Sequence, residues 1–345
     1  MVNYRIFSNF AVSKTKTTFM ILEEMKTQVV GVDIKLSRTT CAIVDIRGNI
    51  LASDEFPTEA HPVIGDYVAV LSDHIMQLIE QHSSLEKVRS VGISAPSGNY
   101  QTGSIVNSPN MPWKGIIPLA ALLRDRLGLS VALGNNAYAM ALGEYAFGAA
   151  HGMQNFAVVS LGSGIGSCFF SGGHVHLGAD GFAGELGHTC IVNGGRECGC
   201  GNKGCLEAYC AEKGLIRTAR ELMEESDKPS LMRNLEQLSY DSLILCCEQG
   251  DELAIETYRR TGEMLGIGLA NFASVLDPEA IIFTGNGANA GHWLLEPANE
   301  AFESHIFLNT QNKIKFIVSS MESNVRNLLG ASVLAWEVEE YSLFK

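Results

Sequence analysis

Within the stretch GELGHTCIVNGGRECGCGNKGCLE, one imidazole and three thiols lie close together: His188, Cys198, Cys200 and Cys205. Three thiolates and one imidazole are a complete tetrahedral set for zinc, with no position left for a water. The set therefore predicts a structural zinc site rather than a hydrolytic one, which would need an open position for a metal-bound water. Gly199, Gly201 and Gly204 between the thiols let a short loop fold back around one ion. A nucleic-acid zinc ribbon would show two separated C-x-x-C pairs and basic flanks, and the stretch has neither. The chain has nine cysteines, an odd number that fits reduced thiols plus a metal site better than a disulfide framework. The other six, Cys41, Cys168, Cys190, Cys210, Cys246 and Cys247, are expected to be buried and inert.

The elements that must position this cluster follow from hydrophobic patterning. Apolar runs predict strands over 29–34, 39–45 and 50–56, with a turn at Arg47-Gly48-Asn49, and again over 88–94 and 130–133. Helical spacing of Val68, Leu71, Ile75, Leu78 and Ile79 predicts a helix over 63–81, and further helices are expected over 117–127 and 137–147. Near Ala150-His151-Gly152 the pattern restarts as strand, glycine-rich loop and strand over 156–161 and 167–170. A helix over 251–276, strands over 280–283 and 314–318 and a last helix over 325–340 complete it. This repetition predicts an α/β fold of two related lobes with a cleft between them. At 345 residues the chain is long enough for two domains. A net charge of -13 disfavours phosphate backbones and anionic lipid. No apolar run approaches the roughly 20 residues needed to span a bilayer. Residues 1–24 carry no signal-peptide pattern and are expected to be a tail, so the protein is expected in the cytoplasm, away from membranes.

The zinc stretch, a G-H followed by C-G-C-G-x-x-G-C-x-E, resembles the signature of the ROK family of repressors, open reading frames and kinases. Further matching segments are Ala95-Pro96-Ser97-Gly98, residues 109–120, residues 180–188 and Leu329-Gly330-Ala331; together the resemblance covers roughly residues 29–340. It is nearest to the bacterial ROK glucokinases, in particular those of the Bacteroidetes type. It implies an actin-like (ribonuclease H-like) fold in two lobes: 25–135 completed by 325–345, and 136–324 with the zinc loop. It also implies a homodimer and transfer of the γ-phosphoryl group of ATP, with Mg2+, to a hexose. Hexose contacts would fall on Gly98, Asn135, Asn136, Glu185, His188 and Glu207. Carboxylates accept from sugar hydroxyls, and an asparagine both accepts and donates. One ring nitrogen of His188 would hold zinc and the other face the sugar. Nucleotide contacts would fall on Asp33, Lys35 and Ser37, on Gly162, Ser163 and Gly164, and on Gly285 and Gly287.

Two departures stand out. The first phosphate loop reads Asp33-Ile34-Lys35-Leu36-Ser37 where the kinases have D-x-G-G-T. If those two positions need φ > 0, their Cβ atoms cost about 1 kcal/mol each; Lys35 reads first as a solvated hairpin residue, with a charge offered to a phosphate as the alternative. The second falls on the catalytic position: Asn136 stands where the family has the Asp that takes the sugar proton, and an amide cannot accept it. Two readings follow. One is a glucokinase-type hexose kinase with a weakened transfer step. The other is a non-catalytic, sugar-responsive binding protein without a helix-turn-helix segment, and hence without direct DNA binding.

Overall fold

The computed structural model describes residues 26–109 and 111–338. The expected tail 1–24 and the end of the last helix beyond residue 338 lie outside the described residues.

Two five-stranded sheets share one plan. The first has the order β3-β2-β1-β4-β8, from β1 (Gln28–Ile34), β2 (Thr39–Asp45), β3 (Ile50–Phe56), β4 (Val88–Ala95) and β8 (Ser130–Asn135). The second has the order β11-β10-β9-β12-β13, from β9 (Phe156–Leu161), β10 (Ile165–Ser171), β11 (His174–Val175), β12 (Ala280–Thr284) and β13 (Lys315–Val318). In each, an antiparallel meander of three strands is followed by two parallel strands. The duplication read from the pattern is thus present as two sheets of the same topology.

Alternation along β1 explains its role. Val30, Val32 and Ile34 join the core under helix α1 (Ile64–His82), whose buried stripe is Tyr67, Val68, Leu71, Ile75, Leu78 and Ile79. Residues Val29, Gly31 and Asp33 point the other way, toward the last helix, α9 (Ser323–Glu337). That helix lies almost on the backbone of the sheet: a Cβ at Gly92 would sit 1.9 Å from the Ala331 carbonyl oxygen. The close approach brings α9 polar groups to Asp33. Helix α3 (Asn136–Phe147) crosses α9 and packs on β9 and β10, so these two helices lie between the sheets.

Helix α2 (Leu119–Leu127) starts two residues later than the spacing predicts, because Ile116–Ile117 pair with β6 (Ser104–Val106) as strand β7. Together with β5 (Gly98–Asn99) these form a small third sheet absent from the sequence reading. Helices α4 (Glu207–Cys210), α5 (Glu212–Glu225), α6 (Tyr240–Glu248) and α8 (His292–His305) were likewise not predicted, whereas α7 (Glu252–Leu276) was, and Asp251 caps it. Among the described residues no helix is long and apolar enough to cross a membrane.

Candidate functional site

The four expected metal ligands meet. The ligand atoms of His188, Cys198, Cys200 and Cys205 all lie within 4.8 Å of one another. Cys198 Sγ is 3.7 Å from His188 Nδ1, and Cys200 Sγ is 3.7 Å from Cys205 Sγ. Ligands at tetrahedral bond lengths around one zinc-sized ion stand about 3.5–3.8 Å apart, so the donor set fits such an ion. The loop that makes this possible is closed by Cys198 N–H to the Asn202 carbonyl at 2.9 Å and by Gly204, whose φ is +80°. A Cβ there would also lie 1.8 Å from the Val192 carbonyl oxygen. Without an ion, burial pushes the Cys205 thiol up to about 12 and raises that of Cys198, while the Asn202 backbone draws that of Cys200 down. A bound cation would supply the positive charge that favours the thiolate form of such crowded thiols.

His188 Nε2 faces out of the cluster, 3.9 Å from the Glu185 carboxylate, whose side chain is 57% exposed. The pair offers hydrogen-bonding atoms to solvent. Its position is set from below: Ser167 Oγ accepts from the Leu186 N–H at 3.2 Å and donates to the Gly184 carbonyl. Ser167 also lines a cleft with Gly98, Asn135, Tyr138, Gly181 and Ala183. Asn99, which the sequence reading passed over, ties the cleft's two sides together: its Nδ2 donates to the Asp180 carbonyl at 2.8 Å.

Several expected site residues have structural work of their own. Asn135 caps α3, its Oδ1 accepting from the Tyr138 N–H at 2.6 Å, which leaves its Nδ2 for a ligand. Gly98 is required by packing, since a Cβ would lie 2.5 Å from the Gly134 carbonyl oxygen. Glu207 joins the metal loop to the glycine loop: its Oε2 accepts from the Ile165 N–H at 2.9 Å and its Oε1 lies 3.9 Å from Cys198 Sγ.

The two glycine loops stand side by side at the ends of the parallel pair β9 and β12, where open α/β sheets bind ligands. Gly285 (φ +83°) packs on Leu161, a Cβ there coming 2.4 Å from the Leu161 carbonyl oxygen, and Gly287 packs on Leu161 and Tyr240. Gly162 differs, because a Cβ there would meet nothing closer than 4.0 Å. Ser163 is exposed and Gly164 half-buried beside it.

The first phosphate loop departs from expectation. Neither Lys35 nor Leu36 has positive φ, so the predicted backbone penalty is absent. Lys35 does stand in the β1–β2 hairpin with its side chain partly exposed, but its ammonium is paired and not simply solvated. Its Nζ lies 3.3 Å from Asp33 Oδ2 and donates to Asn324 Oδ1 at 2.8 Å. Asp33 is 3% exposed, and burial raises its pKa although Lys35, Asn327 and Ser94 oppose the shift. Leu36 and Ser37 are exposed. Asn136 begins α3, and its Oδ1 accepts from Ser94 Oγ at 3.0 Å. The remaining correction concerns Cys190, expected to be buried and found exposed; Cys41, Cys168, Cys210, Cys246 and Cys247 are buried as expected.

The family model for the ROK family matches residues 29–338. This chain belongs to the ROK family. Over 315 residues it is 30% identical to a glucokinase of Streptomyces coelicolor, covering 89% of this chain and 97% of that one. It is 27% identical to a xylose repressor of Bacillus subtilis, over 88% of this chain and 76% of the repressor. Among solved structures, a ROK family glucokinase from Streptomyces griseus, crystallised with glucose and AMPPNP, superposes with a TM-score of 0.71 at 28% identity, covering 90% of this chain and all of that one. Its fold is therefore that of the ROK kinases, the actin-like ATPase fold.

The Asp33–Lys35 pair has a pH signature. Asp33 titrates above its ordinary 3.8 in the folded protein, so its buried charge disfavours folding once the unfolded carboxyl ionises. Lys35→Met removes the opposing cation and raises the folded pKa further. The variant is expected to lose about 1–3 kcal/mol at pH 7. The loss should shrink as pH falls through Asp33's folded pKa and, well below about pH 3.8, where Asp33 is protonated in both states, leave only the part due to the Asn324 bond. Urea unfolding at several pH values checks this; a loss that does not change with pH refutes it.

Proposed function

We propose that this ROK protein binds a hexose, glucose by type, and phosphorylates it from ATP with a slow transfer step. The observation that carries this reading is the outward-facing Glu185–His188 pair, held by the four-residue donor cluster, in a chain that aligns with a glucokinase over nearly its full length. On this reading His188, Cys198, Cys200 and Cys205 hold a structural zinc ion, which supplies charge for the thiolates and fixes the imidazole. Two lobes, 25–135 with 325–345 and 136–324, close on the substrates. Gly98, the Asn135 amide, Asn136, Glu185, His188 and Glu207 receive the sugar hydroxyls. Gly162, Ser163, Gly164, Gly285 and Gly287 receive ATP, which enters with Mg2+, and Asp33, Lys35 and Ser37 border its phosphates. Asn136 orients the attacking hydroxyl but takes no proton from it, so transfer relies on positioning. The protein acts in the cytoplasm as a homodimer, and its net charge of -13 opposes direct DNA binding.

Two observations favour a second reading, a sugar-responsive protein without catalysis. By the family resemblance Asn136 stands at the base position, and Lys35 sits on the Asp33 carboxylate. Calorimetry and a phosphorylation assay separate the two. Heat with glucose and with ATP·Mg2+, and turnover above background, support the kinase; heat with sugar alone and no turnover supports the second reading. No heat with any hexose at millimolar concentration sinks both.

A further inference from the structure

The exposed thiol of Cys190 plays no part in the site above, yet it lies opposite one of the cluster's ligands. Cys190 and Cys205 are antiparallel bridge partners. The bonds on either side, Ile191 N–H to the Gly204 carbonyl and Leu206 N–H to the Thr189 carbonyl, are both 2.9 Å. The two cysteines are therefore the pair without hydrogen bonds between them. Such pairs place their side chains on one face with Cα atoms about 4.5 Å apart, within the 4.4–6.8 Å that a disulfide spans. The sulfur of Cys190 lies over the residue before Cys205: a Cβ at Gly204 would be 3.2 Å from it. Only glycine leaves that space. Cys205 itself is 1% exposed. Cys200 is exposed as well, but within the bridged pair an oxidant meets Cys190 first, and Cys205 is the residue directly across from it.

We propose that Cys190 and Cys205 form an oxidant-sensitive pair whose disulfide dismantles the metal cluster; this rests on the zinc reading above. The oxidant is a peroxide. The Cys190 thiolate attacks one peroxide oxygen, the O–O bond breaks, and the departing hydroxide leaves as water on taking a proton. The Cys205 thiolate then attacks the sulfur of the resulting sulfenic acid. An S–S bond forms, the S–O bond breaks, and a second water leaves after protonation. Two thiols lose two electrons in all, and one hydrogen peroxide is reduced to two waters. Three donors remain, His188, Cys198 and Cys200, and the imidazole loses its fixed orientation beside Glu185. Sugar binding would thus fall under oxidation and return on reduction.

Cys200 Sγ, 3.7 Å from Cys205 Sγ, is the competing partner. With an ion bound both of those sulfurs are coordinated, whereas Cys190 lies outside the donor set. The test starts from the full chain as purified, with its zinc content measured. Hydrogen peroxide is added, zinc release is followed with a chromogenic chelator, and linked peptides are mapped without reduction. The expected result is a Cys190–Cys205 peptide with zinc release, both reversed by dithiothreitol and added zinc. Cys190→Ser, a change at an exposed position outside the donor set, should release zinc at least about tenfold more slowly. Release at the parent rate in that variant, or linkage confined to Cys198, Cys200 and Cys205, overturns the proposal. A chain purified without zinc would refute the metal reading separately. In that case the presence or absence of the Cys190–Cys205 peptide decides the pair by itself.

Discussion

Asn136→Asp is expected to raise hexose phosphorylation by about 10²- to 10⁴-fold, the usual worth of a general base. The substitution preserves shape and keeps an acceptor for the Ser94 hydroxyl, which now donates to Asn136 Oδ1 at 3.0 Å. The new carboxylate would stand at the first residue of α3, where the helix dipole favours negative charge. It would therefore be ionised at neutral pH and able to take the hydroxyl proton. Sugar affinity should change little, because the amide already supplies the hydrogen-bonding atoms, so the gain should appear in kcat and not in KM. Steady-state kinetics at saturating ATP and glucose make the measurement. An unchanged kcat would place the defect elsewhere, at the first phosphate loop where Lys35 is seated on Asp33.

The second large effect concerns stability. Glu144 on α3 and Arg326 on α9 form an ion pair at 2.8 Å with side chains 0% and 4% exposed. Glu144 Oε2 also accepts from the Ala149 N–H at 2.9 Å, and Arg326 Nη2 donates to Ser319 Oγ at 3.0 Å. Burial draws the Arg326 pKa down from its ordinary value, so the guanidinium depends on its partner. Its Nη1 is buried without a partner among the described residues, while Nη2 also donates to the Met321 carbonyl. Glu144→Gln leaves a buried cation uncompensated and is expected to cost about 3–5 kcal/mol. Arg326→Met should cost a similar amount, whereas the double variant should recover much of it, because no lone charge is left. Urea midpoints of the four proteins make the double-mutant cycle. Single-variant losses below about 1 kcal/mol, or simple additivity, would show the pair to be uncoupled. The pair matters for the site because the same two helices carry Asn136 and, through Asn327, hold Asp33 at 3.2 Å.

Much of the site was legible before any coordinates. The donor cluster spans one short glycine-punctuated stretch, so the spacing of His188, Cys198, Cys200 and Cys205 nearly dictates their meeting. Buried strands such as β1 and β9 appear as apolar runs because both of their faces are covered. The repeat is readable for the same reason as strand, glycine loop and strand, but the short third strand β11 of the second meander is not. The Gly162 loop was readable as well, since a strand, a glycine run and a second strand follow one another locally.

Other features had no local signal. Lys35 looks like any surface lysine until α9, nearly 290 residues later in the chain, brings Asn324 to it. Asn135, expected as a ligand residue, also makes a capping bond at the start of α3 that only the folded helix creates. The exposure of Cys190 depends on which side of the metal loop is left uncovered, and cysteine's usual burial pointed the wrong way. The chain's own residue types and short-range spacing thus determined the family, the strands of both sheets apart from the two-residue β11, and the meeting of the four candidate donors, because those rest on local periodicity and loop closure. Tertiary structure alone decided which charges neutralise one another, which glycines are packing necessities and which thiol faces solvent. Each of those is settled by a neighbour far away in sequence, and by how closely backbones approach once the helices are packed between the sheets.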